Sequence, residues 1–232
     1  MSRALTWLLV MVALAPATAG AQAVQLDHYR AAETSEDGFA ISRPTDLGHL
    51  RFGARLDLDY ALNPLVYEAR AGDASTESAS VVEHQLAAQL GVALGLFDRA
   101  VLFAGLPVNL AMEGSDVAGQ PRADGTSVGD LRLGARGRIW GEADDAFAIA
   151  ASLTFTLPTA QGVDPAVRFA GEDGVSVHPE LQAEVRPGLG VRVDVNLGAR
   201  LRATDRARFV GAGLVVGHEL TWGVGVTVPV AN

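Results

Sequence analysis

From Leu50 to Tyr60 every second residue is apolar: Leu50, Phe52, Ala54, Leu56, Leu58 and Tyr60 alternate with Arg51, Gly53, Arg55, Asp57 and Asp59. A period of two is the mark of a strand with one apolar and one polar face. Comparable runs follow at 82–97, 100–112, 129–140, 146–157, 175–186, 190–202, 208–219 and 222–230. They are longer than the ~5–6 residues of ordinary strands and match the ~9–11 that a tilted strand needs to cross a bilayer. The connections between them alternate: long at 63–81, 113–128 and 158–174, medium at 203–207, short at 98–99, 141–145, 187–189 and 220–221. Outer-membrane barrels are connected in this way. The expected fold is therefore all-β, an antiparallel up-and-down transmembrane β-barrel of about 8–10 strands.

The first 23 residues support the same address. Arg3 precedes an apolar core at Leu8–Ala15, and a small-residue A-x-A stretch ends at Ala23. That is the form of a secretory signal peptide. The core is shorter than the ~20 residues of a membrane-spanning helix, so a membrane-embedded mature chain must cross with strands, and these must close because lipid tolerates no open edge. The sequence divides into a leader (1–23), an N-terminal segment (24–48) and a barrel (49–232). The middle segment lacks strand period and carries Asp27, Arg30, Glu33, Glu36, Asp37, Arg43 and Asp46. It reads either as a periplasmic lead or as a plug in the lumen.

A soluble calyx of the lipocalin kind gives the same alternation with its faces reversed, and period alone does not separate the two. The polar face favours the membrane form. It is rich in small residues (Gly53, Gly91, Gly95, Gly105, Gly134, Gly198), and all eighteen basic residues are arginine. A short pattern, apolar-Gly-Ala-Arg, recurs at 52–55, 133–136 and 197–200. In each case Gly and Arg share the polar face, the glycine leaving room for a neighbour. Tyr60, Phe97, Trp140, Phe147 and Trp222 lie near strand ends, where a membrane interface favours aromatic rings.

The polar faces bring together charges of both signs: Arg51, Arg55, Asp57, Asp59, Asp130, Arg132, Arg136, Arg138, Glu180, Glu184, Arg192, Asp194, Arg200 and Arg202. These are the expected lumen-lining residues, with His178, Gln182 and Asn196 beside them. A lumen of 8–10 strands is mostly filled by side chains, so ion pairs that rigidify the barrel are expected ahead of an open, charge-lined pore. On this basis Arg136→Leu should be tolerated, and Leu133→Arg should not.

Nothing points to chemistry. There is no cysteine, and His28, His49, His84, His178 and His218 have no metal-ligand spacing. No catalytic site, cofactor or metal is expected. Ser176 and His178 share one strand face and are the only hint of a lipid hydrolase. A net charge of −9 disfavours nucleic acid. Outer-membrane lipid and small solutes are the expected partners. Nine strands would leave the chain's end on the outer side, against the even count of single-chain barrels, so either later strands are expected beyond Asn232, the preferred reading, or the count is off by one.

Leu26-Asp27-His28-Tyr29-Arg30, Leu47-Gly48-His49-Leu50-Arg51-Phe52-Gly53, Asn63-Pro64-Leu65-Val66-Tyr67-Glu68, Gly95-Leu96-Phe97-Asp98-Arg99, Gly105-Leu106-Pro107-Val108-Asn109 and Gly129-Asp130-Leu131-Arg132-Leu133-Gly134 resemble the N-terminal barrel region of large OmpA-family envelope proteins. The resemblance implies a structural or passively permeable outer-membrane barrel. It does not imply peptidoglycan binding, because this chain shows no OmpA-like C-terminal domain.

Overall fold

The computed structural model describes residues 25–26, 29–71, 75–116, 122–142, 145–162, 169–172, 174–203, 207–209 and 214–229. The leader expected at 1–23 and His28 lie outside them. The strands are β1 (Phe52–Ala71), β2 (Ser75–Leu96), β3 (Ala100–Glu113), β4 (Asp124–Val128), β5 (Leu131–Trp140), β6 (Phe147–Leu157), β7 (Gln161–Gly162), β8 (Ser176–Gly188), β9 (Val191–Arg202), β10 (Ala207–Phe209), β11 (Leu214–Val216) and β12 (Glu219–Thr227). Eight of them form the main path, β1-β2-β3-β5-β6-β8-β9-β12, antiparallel throughout. The sheet curls into a half-barrel with β1 and β12 at its two edges. Short β4 pairs with the upper half of β3 and with β7.

Two expectations are corrected. The stretch 63–81 is not a loop: β1 and β2 stay paired from Val66↔Ser80 to Ala71↔Ser75. Asn63 and Pro64 read as breakers, but they are absorbed by a register shift between Leu62 and Val66, with Asn63 at φ +51°. The strand expected at 208–219 also leaves the sheet. Part of it folds on itself as the β10-β11 hairpin, and only from Glu219 does the chain pair with β9. Among the described residues the path therefore has eight strands rather than nine, and its half-barrel form, with β1 and β12 unjoined, is consistent with an incomplete barrel.

One end of the half-barrel carries the tight turns. Leu96–Arg99 closes with a hydrogen bond from Arg99 N to Leu96 O at 3.2 Å, with Phe97 and Asp98 both at positive φ. Leu189 and Gly190 repeat that conformation between β8 and β9. Two positive-φ residues match the right-handed twist of the flanking strands. The other end carries the excursions after β3, β6 and β9.

The two faces of the sheet differ sharply in polarity. Leu56, Leu58, Leu133, Leu181, Leu197, Val224 and Val226 are exposed on the convex face, as are Ala54 and Ala135. Gln85, Gln89, Arg132, Arg136, Arg138, Gln182, Glu184, Asp194 and Asn196 are buried on the concave face. Leu133 is 40% exposed and Arg136, three residues on, 2%. Burying charge while exposing leucine is unfavourable in water.

The recurrent Gly-Ala-Arg pattern has the packing role expected of it. A Cβ on Gly134 would lie 2.3 Å from the Phe103 ring, and one on Gly198 would lie 2.8 Å from both His178 Nε2 and Thr221 Oγ1. At Gly53 the neighbour is Leu47, at 3.3 Å. Of the five aromatic residues, Phe97, Trp140 and Phe147 are exposed together at the turn end, while Tyr60 and Trp222 lie farther along their strands.

Candidate functional site

The N-terminal segment runs along the concave face from one end to the other. Leu26 packs with Val81, Val82, Met112 and Phe169 at the excursion end. Leu47 packs with Ala93 and Val101 at the turn end. Between these apolar anchors the segment is held by charge. Arg136 Nη1 lies 3.1 Å from Glu33 Oε2 and 3.0 Å from Asp37 Oδ2. Arg43 Nε donates to Glu184 Oε2 at 2.7 Å and lies 3.9 Å from Asp194. Arg138 Nη1 reaches Asp46 Oδ2 at 2.8 Å. Arg55 donates to the carbonyls of Thr34, Gly38 and Phe39 while pairing with Asp57 on its own strand. Ile41 fills the space above Gly223 and Gly225, so the segment touches the inner faces of both edge strands.

Most of the expected lumen residues are brought together here. Arg55, Asp57, Arg132, Arg136, Arg138, Glu180, Glu184, Asp194, Arg200 and Arg202 all face inward, buried or half-buried, and Asp59 and Arg192 are half-buried on the same face. Two expectations change. Arg51 is exposed at the foot of β1, because the strand starts one residue later and the side chain folds back over Gly48, a positive-φ turn residue. Asp130 is buried but faces backbone, accepting N–H bonds from Thr159, Ala160 and Glu172 at 2.9, 3.0 and 2.7 Å. Burial pushes its carboxyl up to about 6, against the pull of those three bonds.

The partners of these charges come largely from segments without strand period. Glu172 accepts from Arg202 Nε at 2.9 Å and lies 3.5 Å from Arg200, and Glu219 also accepts from Arg202. Only the sign balance of Arg30, Glu33, Asp37, Arg43 and Asp46 against the strand charges hinted at this in the sequence.

Ser176 and His178 do not form a hydrogen-bonded pair. His178 Nδ1 accepts from Arg30 Nη1 at 2.7 Å, because a guanidinium has only protons to give. That leaves Nε2 as the protonated nitrogen, donating to Thr221 Oγ1 at 2.8 Å. With both ring nitrogens engaged, the ring is not set to take a proton from Ser176.

Between the N-terminal segment and β8, β9 and β12 lies a cavity of about 580 Å³, lined by Arg30, His178, Glu180, Asn196, Arg200 and Thr221 among others. No curated protein matches the sequence. A family model does: it spans residues 35–230, from the middle of the N-terminal segment through β12. The chain belongs to the family described as "Putative MetA-pathway of phenol degradation".

Proposed function

We propose that this chain is an outer-membrane β-barrel, without catalytic chemistry of its own, that gives small solutes a route into cells consuming phenolic compounds. One observation carries the reading: leucines and valines cover the outside while arginines and carboxylates are buried inside. The family description supplies the metabolic setting, and the secretory form of residues 1–23 supplies the address. The likeness to OmpA-family proteins enters only at the level of the barrel.

In this reading the turn end faces the periplasm and the excursions face outward. The N-terminal segment is the plug. It occupies part of the interior, beside the cavity along β8, β9 and β12, and is held by ion pairs, so the resting barrel is narrowly permeable.

Cell fractionation tests the address. The expected result is recovery in the outer-membrane fraction, extraction only with detergent, and a band whose gel migration changes on boiling. Recovery as a soluble periplasmic protein would overturn the proposal and return the calyx to first place. Planar-bilayer recording tests the route, with small or rare openings expected from the intact chain and larger ones when the ion pairs of the segment are removed.

A further inference from the structure

Arg30 is held unusually for a sheltered guanidinium. Among the described residues its one side-chain hydrogen bond goes to the neutral His178 ring, at 2.7 Å. Its Nη2 is shut off from solvent and has no hydrogen-bond partner among the described residues. Arg132 and Arg200 stand near enough to repel it, and Glu33 and Glu180 near enough to attract it without a hydrogen bond among the described residues. The carboxylates around the same cavity are committed elsewhere: Glu33 to Arg136, Glu219 to Arg202, and Glu180 to Gln182 and Asn196. A sheltered charge is normally paired, and the half-buried Arg30 lines a cavity of about 580 Å³, large enough for a small organic molecule.

We propose that this cavity binds the carboxylate of a small organic acid, with Arg30 as the direct contact and Arg132 and Arg200 as supporting positive charge. A guanidinium carries five N–H donors, of which His178 takes one of Arg30's, so a charge-assisted contact to a carboxylate remains open to it. Thr221 and Asn196 add neutral polar groups at the wall, and Ala40 and Ile41 give an apolar surface for the rest of the solute. That apolar wall favours an organic acid over an inorganic oxyanion. The site deepens the solute-route reading and rests on it for the origin of the ligand, although binding itself does not depend on membrane location.

The test is calorimetric titration of the full chain, purified in detergent micelles, with benzoate, benzyl alcohol and inorganic phosphate at constant ionic strength. Benzoate is expected to bind more tightly than the other two, and Arg30→Gln to weaken it on the order of tenfold, the loss of one charge-assisted contact, while leaving benzyl alcohol unchanged. Equal benzoate binding by wild type and Arg30→Gln, or no benzoate binding by wild type, would overturn the proposal. Phosphate binding tighter than benzoate would overturn the organic-acid assignment. If Arg30→Gln does not fold, wild-type competition decides: displacement of benzoate by acetate supports the site, and equal displacement by benzyl alcohol refutes it. A detergent-extracted barrel that ignores benzoate sinks only this site, whereas a soluble protein that binds it sinks only the barrel.

Discussion

Arg43 Nε donates to Glu184 Oε2 at 2.7 Å although the two residues are 141 positions apart in sequence. The Glu184 side chain is wholly buried and that of Arg43 is 11% exposed. Arg186, two residues along the same strand, shares the carboxylate. The pair joins a segment without regular structure to the inner wall, where little water competes with it. Such a bond holds a register more than it adds net stability, since desolvation offsets much of the attraction.

Removing one partner is a different matter. Arg43→Ala leaves the buried Glu184 with Arg186 and removes one of the cations beside Asp194. We expect a loss of about 2 kcal/mol, below the 3–5 typical of a fully orphaned charge because Arg186 stays. Urea unfolding in micelles should show it as a lower midpoint. Bilayer recording should show more frequent openings, and an unchanged conductance trace would mean that the segment does not gate the lumen.

Arg136 tests the segment from the other side. Its position in the sheet made Arg136→Leu look harmless, yet both Glu33 and Asp37 converge on its guanidinium. The leucine variant removes the cation shared by Glu33 and Asp37, leaving Asp37 only its bonds from Thr34 and the Arg43 amide, so it should loosen the segment and cost several kcal/mol. The triple variant Glu33→Gln, Asp37→Asn, Arg136→Leu should recover much of that stability, because no net charge is left unpaired. If the single variant unfolds at the wild-type midpoint, the ion triad does not hold the segment.

The sheet was legible in the sequence because period two states directly which residues share a face. Leu133 and Arg136 fall on opposite faces by parity alone, and no tertiary information is needed. Length failed where parity was interrupted. Asn63-Pro64 looked like a strand end, but a register shift let β1 continue. The apolar run at 208–219 contains Gly211, Gly213 and Gly217, and part of it turned into a local hairpin instead of joining β9. A plug in the lumen was one of two readings of the N-terminal segment, but its individual pairings were not legible. Glu33 and Asp37 find Arg136 about a hundred residues away, and sequence order carries no record of which inner charge will meet which.

Leu133→Arg tests the outside. Leu133 is 40% exposed on the convex face, between Ala104 and Phe155 on the neighbouring strands. An arginine on the lipid face costs about 2–4 kcal/mol near the bilayer midplane. The variant should lose the folded, heat-modifiable band in membranes while Leu133→Ile keeps it. If Leu133→Arg assembles as well as wild type, the convex face does not meet lipid.

Asp130 gives a pH dependence with a definite sign. Its carboxyl is pushed from its ordinary 3.8 up to about 6 by burial. The folded chain therefore takes up a proton that the unfolded chain has already lost between those two values. A raised acid pKa favours the folded state while the group is neutral, so this stabilisation is fully present below about 4 and is lost as pH rises through about 6. Two units bound the effect at about 3 kcal/mol. Asp130→Asn carries no charge at any pH and should abolish the dependence. It keeps an acceptor for Thr159 and Ala160, and turns a donor toward the Glu172 amide that now donates to it. Unfolding midpoints at pH 4.5 and 7.5 check the sign. The stability of wild type relative to Asp130→Asn should fall from the lower pH to the higher, and a rise would mean that the three N–H bonds, rather than burial, set the proton affinity of this carboxylate.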